Sequence, residues 1–170
     1  MTVNSIVSKV EGNELTMERV FQASRELVFQ CFSEEEHLKN WFGPKGWPLA
    51  VCNIDFRVGG VWHYCMKCTD ETQEHFGMEA WGRAVYKDIV TPERIKSVDQ
   101  FSNAEGTAAE GMPESIVTQT FVDEGGKTKL IQHTVYDSPE ALQSVLDMGM
   151  LEGTASTWDN FEEYVQKLNR

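Results

Sequence analysis

The chain has 170 residues, 41% hydrophobic and 25% charged, and its 27 Asp and Glu outweigh 15 Lys and Arg for a formal net charge of −12. That length suits one domain with a substantial core, and the composition is globular rather than disordered or membrane-spanning. So large an excess of acid excludes nucleic acid as the expected partner, because phosphate backbones are bound by dense Lys and Arg.

Residues 1–12 read as a loose tail, with no apolar run beside a basic flank and so no expected leader peptide. "ELTMERVFQA" alternates as a strand with Leu15, Met17 and Phe21 on one face. "SRELVFQCF" begins with Ser24 at an N-cap position and carries Leu27, Val28, Cys31 and Phe32 at helical spacing. A second short helix is expected in "SEEEHLKNW", where Ser33 and Glu36 have capping-box spacing and the acids favour the positive end of the helix dipole. Gly43-Pro44 would stop it. Trp41, Phe42 and Trp47 gather around that turn, either plugging the core end beneath the helices or serving a function.

From residue 49 the period changes to two. "LAVCNIDF" and "VWHYCMKC" flank the Gly59-Gly60 turn, and the second places Trp62, Tyr64 and Met66 on one face. "HFGMEAWGRAVYKDIV" reads as one long strand whose even positions include Phe76, Met78, Ala80, Gly82, Ala84 and Tyr86. "ERIKSVDQFS", "ESIVTQTFVD" and "KTKLIQHTVY" complete the series, the last two joined by a Gly125-Gly126 hairpin turn. Ser138-Pro139 opens a helical region with proline at the first position. Its final part carries Leu151, Ala155, Trp158, Phe161, Val165 and Leu168 at a 3.6-residue period. Successive strands without intervening helices predict an α+β fold: an antiparallel sheet of about six to seven strands around a long C-terminal helix, with two short helices after the first strand. With neither repeat nor linker, residues 1–170 read as a single domain.

Motifs for catalysis are sparse. Cys65 and Cys68 of "CMKC" are three apart in an expected strand and therefore point to opposite faces, which suits neither a zinc chelate nor a thioredoxin-type disulfide. No metal site is expected. The four cysteines lack framework spacing and read as reduced thiols in a cytoplasm. There is no G-x-S-x-G elbow and no dinucleotide or phosphate-binding glycine fingerprint, so no cofactor is expected. His37, His63, His75 and His133 read as surface or satisfied strand residues. The strongest acid–base candidates, Glu79 and Arg83, share the odd strand face with His75 and Trp81. Turned inward, Glu79 would be a carboxyl with a raised pKa, suited to proton transfer; the more apolar even face favours an ion pair on the outside instead.

The stretches "RVFQASRELVFQCFSEEEHLKNWFGPKGW", "DFRVGGVWHYCM", "TPERIKSVDQFSNAEG" and "VYDSPEALQSVLDMGMLEGTASTWDNFEEYVQKL" resemble, in order, the Aha-type family. That family is named for the C-terminal domain of the activator of the ninety-kilodalton heat-shock-protein ATPase and belongs to the START-like (SRPBCC) superfamily. The resemblance spans roughly residues 14–168 and implies the helix-grip fold with an apolar cavity between curved sheet and terminal helix. On that fold Trp62, Tyr64, Met66, Met78 and Tyr86 would line the sheet side, with Trp158 and Phe161 opposite and Trp41 and Phe42 at the mouth. The expected function is non-enzymatic binding of an apolar or amphipathic small molecule, with Tyr64 and Tyr86 as polar handles. The resemblance also implies a chaperone partner as an alternative, and related folds host enzymes that use polar groups in the cavity. Exposed strand edges would permit a homodimer.

Overall fold

The computed structural model of the chain describes residues 6–169. Eight strands and four helices follow the expected order: β1 (Val7–Glu11), β2 (Glu14–Phe21), α1 (Arg25–Ser33), α2 (Glu35–Trp41), β3 (Leu49–Ile54), β4 (Val61–Lys67), β5 (Glu79–Val90), β6 (Arg94–Phe101), β7 (Glu114–Glu124), β8 (Lys127–Tyr136), α3 (Pro139–Asp147) and α4 (Met150–Leu168). All strands join one antiparallel sheet in the order β1-β2-β8-β7-β6-β5-β4-β3. The count exceeds the expected six to seven because residues 7–11, assigned above to a loose tail, pair with β2 as an edge strand. Residues 1–5 of that tail lie outside the described residues.

Alternation decides which face of the sheet turns inward. In β2, Leu15, Met17 and Phe21 are buried. They are joined by Ala84 and Tyr86 of β5, Phe121 of β7 and Leu130 of β8. Against this face α4 lays Trp158, Phe161 and Val165, all buried. Phe161 meets Phe21 and Phe32 of α1 edge-on at 4.9 and 5.1 Å, and Trp41 of α2 at a tilt at 4.5 Å, between ring centroids. The Gly125-Gly126 turn closes β7 and β8 with Glu124 opposite Lys127, both glycines having positive φ as a two-residue hairpin requires.

The helix ends show how local chemistry sets the boundaries. Ser24 Oγ accepts from Leu27 N, and Ser138 Oγ accepts from Ala141 N with Pro139 in the first turn, as expected. The capping box at Ser33 does not form. Ser33 is the last residue of α1, its hydroxyl donates to Gln30 O, and Glu34 caps α2 without a side-chain bond. At the end of α2, Gly43 has φ +116°, and a Cβ there would lie 2.1 Å from the Trp47 carbonyl oxygen. The turn is fastened by Trp47 N donating to Pro44 O at 2.8 Å and by Asn160 Nδ2 of α4 donating to Gly43 O at 2.8 Å. Gly43→Ala is therefore expected to destabilise the protein by at least about 1 kcal/mol, read as a lower urea midpoint at unchanged m-value.

Candidate functional site

Where α4 and the helical pair α1–α2 stand off the sheet, the inward face leaves a pocket of about 640 Å³. Its lining divides by chemistry. Trp41, Phe42, Trp62, Met66, Val145 and Trp158 form an apolar wall drawn from α2, β4, α3 and α4. Phe42, just after α2, sets its ring against Trp62 at 4.8 Å and Tyr64 at 5.4 Å, and those two rings lie 4.4 Å apart. Gly82 makes this packing possible: a Cβ there would fall 2.5 Å from the Tyr64 hydroxyl, so the Tyr64 ring extends across β5 toward β6.

The opposite side is polar. Strand register aligns Trp62, Ala84, Asp99, Ser115 and Tyr136 in one row across β4–β8. Asp99 stands at its centre with the small Ala84 beside it. Ser97 Oγ donates to Asp99 Oδ1 at 2.7 Å. Protein encloses Asp99, while part of its surface opens on the pocket. Burial raises its carboxyl to about 6, against the lowering effect of the Ser97 hydrogen bond. Burial also pushes the phenols of Tyr64, Tyr86 and Tyr136 up, and the charge of Asp99 adds to each. Three hydroxyl-bearing rings from β4, β5 and β8 thus share the field of one carboxylate.

Of the residues proposed from sequence, Trp41, Phe42, Trp62, Tyr64, Met66, Tyr86 and Trp158 line this pocket. Trp41 is not at its mouth: it is buried, packed against Phe32 and Phe161, with Nε1 donating to Cys31 O at 3.1 Å. It is both core plug and pocket wall. Phe161 is fully buried behind Trp41 and is not among the lining residues. Met78 is 53% exposed and stands apart from the pocket, because β5 starts at Glu79, after Gly77 has turned the chain with φ +88°. Trp47 lies outside the pocket and donates Nε1 to Gln73 Oε1 at 3.0 Å, tying down the β4–β5 loop.

The even face of β5 points inward, so Glu79 and Arg83 lie on the other. Glu79, at the pocket rim, accepts from Trp81 Nε1 at 3.0 Å and faces Lys67 at 4.0 Å, while Arg83 bonds Gln100. The acid enclosed by the pocket is Asp99, which sequence reasoning passed over. Its signal was the odd parity of Ile95, Ser97, Asp99 and Phe101, blurred by Val98 on the other face. Cys65 and Cys68 are buried free thiols. Cys68 lies one residue beyond β4, so strand parity does not set its direction relative to Cys65. None of the four histidines lines the pocket. Among the described residues no group of three or more His, Cys, Asp and Glu is placed to hold a metal ion. No described helix is long and apolar enough to cross a membrane.

An antiparallel sheet packed on a C-terminal helix defines a helix-grip protein of the SRPBCC type. The chain belongs to the Activator of Hsp90 ATPase homolog 1-like protein family, whose sequence profile matches residues 22–166. Protein Ms6760 from Mycobacterium smegmatis is similar at 27% identity, with 95% of each chain covered and a TM-score of 0.82. A protein from Arthrobacter aurescens is 23% identical over 98% of this chain and 93% of its own, with a TM-score of 0.85. One from Staphylococcus epidermidis is 24% identical over 95% and 94%, with a TM-score of 0.80. The last two likenesses establish the fold alone. Among curated proteins none matches.

Proposed function

We propose that the protein binds a small amphipathic molecule in the pocket between sheet and C-terminal helix, without transforming it. The observation that carries this reading is the pocket itself. About 640 Å³ falls within the range of small-molecule sites, and an aromatic wall facing a few convergent polar groups is their usual chemistry. The apolar wall supplies affinity, and Asp99, Ser97 and the tyrosine hydroxyls supply orientation. Area alone does not set the affinity, because ordering the guest and desolvating its polar atoms oppose binding. A generic apolar fluorescent probe is expected to bind at micromolar Kd, about −8 kcal/mol.

Ala84 provides the test. It is a buried pocket-floor residue between Trp62 and Asp99, so Ala84→Leu adds bulk into the cavity. The variant is expected to fold and to weaken probe binding at least tenfold. A folded Ala84→Leu that binds as tightly as wild type would move the guest elsewhere. Native mass spectrometry of the purified protein gives a second reading: a co-purifying small molecule supports the proposal. Stable capture of a heat-shock chaperone by a protein that binds no probe would make it an interaction module, as the family's description suggests.

A further inference from the structure

Resting on the binding function proposed above, a chemical class for the guest follows from the charges that face the pocket. Among the described residues its lining contains two carboxylates, Asp99 and Glu79, and no Lys, Arg or His. Glu79 sits at the rim with Lys67 and the Trp81 indole as partners. Asp99 has neither: its hydrogen-bond donor is the neutral Ser97 hydroxyl, and among the described residues no cationic side chain pairs with it. Three of the seven other aspartates have guanidinium partners. Asp159 has Arg19 at 2.7 Å, Asp55 has Arg57 at 2.9 Å and Asp88 has Arg94 at 2.9 Å. The enclosed aspartate thus lacks the guanidinium that those three more exposed ones have, although an unpaired carboxylate costs most where water is scarce.

The rings around it suit the same charge. Phe42, Trp62 and Tyr64 form a contiguous aromatic cluster on the wall, and Tyr86 lies beside Ser97 on the neighbouring strand. Aromatic faces carry negative potential and attract organic cations, most strongly where water is excluded. Among the described lining residues an anionic guest would meet two carboxylates and no cationic side chain. The net charge of −12 adds a long-range field that draws cations toward the molecule.

We propose that the pocket takes an organic ammonium ion carrying an apolar body, with Asp99 as counter-ion, the Tyr64 and Tyr86 rings flanking the charged head, and Trp41, Met150 and Trp158 packing the body. The guest supplies the positive charge that the fold withholds from Asp99. No bond is made or broken.

Three naphthalene probes of matched shape test this: 2-(1-naphthyl)ethylamine, 2-(1-naphthyl)ethanol and 1-naphthylacetate, titrated calorimetrically into wild type and Asp99→Asn at pH 7.5. In wild type the amine is expected to bind at least tenfold more tightly than the alcohol, with the carboxylate weakest. In Asp99→Asn the amine should lose its advantage and bind no more tightly than the alcohol does to the same variant. A second measurement needs no variant. From pH 7.5 to pH 5, wild-type affinity for the amine should drop as Asp99 takes up a proton, while that for the alcohol stays flat. The other titratable groups facing Asp99 are the phenols of Tyr64 on β4, Tyr86 on β5 and Tyr136 on β8, which remain protonated throughout, and the rim carboxylate Glu79 is separated from Asp99 by Glu79→Gln, expected to leave the pH effect in place. Equal binding of amine and alcohol, or an amine preference that survives in Asp99→Asn, overturns the cation assignment and leaves the binding function standing. Failure of all three probes to bind overturns both.

Discussion

Phe161→Ala is expected to lower the stability of the protein by about 3–5 kcal/mol, the usual cost of removing a fully buried aromatic ring. Phe161 is 0% exposed and touches the rings of Phe21, Phe32 and Trp41, which come from a strand and both N-terminal helices. Removing it leaves a void at the point where α4, α1, α2 and the sheet converge, and none of those rings can collapse into the space without abandoning another neighbour. Urea unfolding followed by tryptophan fluorescence and circular dichroism measures the loss. A loss below about 1 kcal/mol would mean that α4 is not packed as described. Met78→Ala is the matched control. Its side chain is 53% exposed, so its effect should stay within about 0.5 kcal/mol. The two residues had the same standing in the sequence, as apolar positions on inward faces, and the experiment separates them by more than fivefold.

That pair illustrates how far the sequence carries. Regular alternation and a 3.6-residue period identified the sheet and α4 because each buries one face against the other, and burial imposes the pattern. The failures lie where burial imposes nothing. Every residue of β1 is exposed, so no apolar alternation distinguishes "VSKVE" from a tail, and only its pairing with β2 makes it a strand. Phe76 and Met78 extended the apparent period of β5 by accident, and the backbone reversal at Gly77 is silent in a hydrophobicity pattern. The aromatic side of the pocket was legible for the same reason as the core, since large rings alternate on β4 and recur on α4. Its polar side was not. Asp99, Ser115 and Tyr136 are 37 residues apart from end to end, and they form a row only through the registers of β6 with β7 and of β7 with β8. Parity assigns a face to each strand separately, whereas a site needs the offset between strands, which the hairpins and the β5–β6 irregularity between Tyr86 and Asp88 determine.

Asp99→Asn is expected to stabilise the empty protein at pH 7.5 and to leave its stability unchanged near pH 4. The folded carboxyl is raised from 3.8 to about 6 by burial, so the fold favours the protonated form. Below pH 3.8 the group is protonated in both folded and unfolded chains, and its contribution is fully favourable. As pH rises through 3.8 the unfolded chain ionises first, the advantage shrinks, and above about 6 it is gone. A difference of about two units corresponds to about 3 kcal/mol at 1.36 kcal/mol per unit, an upper figure because water in the pocket screens the charge. Asparagine keeps an oxygen to accept from Ser97 and carries no charge, so the variant should gain about 1–3 kcal/mol over wild type at pH 7.5. Chemical denaturation of both proteins at pH 4, 5, 6 and 7.5 checks this, since the ordinary titration of every other carboxyl cancels in the difference. A constant difference across that range would mean that Asp99 titrates normally and is well hydrated. A difference that opens between pH 4 and 6 would identify a position where the fold retains a destabilising charge. Binding of a cation then returns the lost stability through linkage, so an ammonium guest should narrow the gap between wild type and Asp99→Asn at pH 7.5 in proportion to RT ln(1 + [L]/Kd).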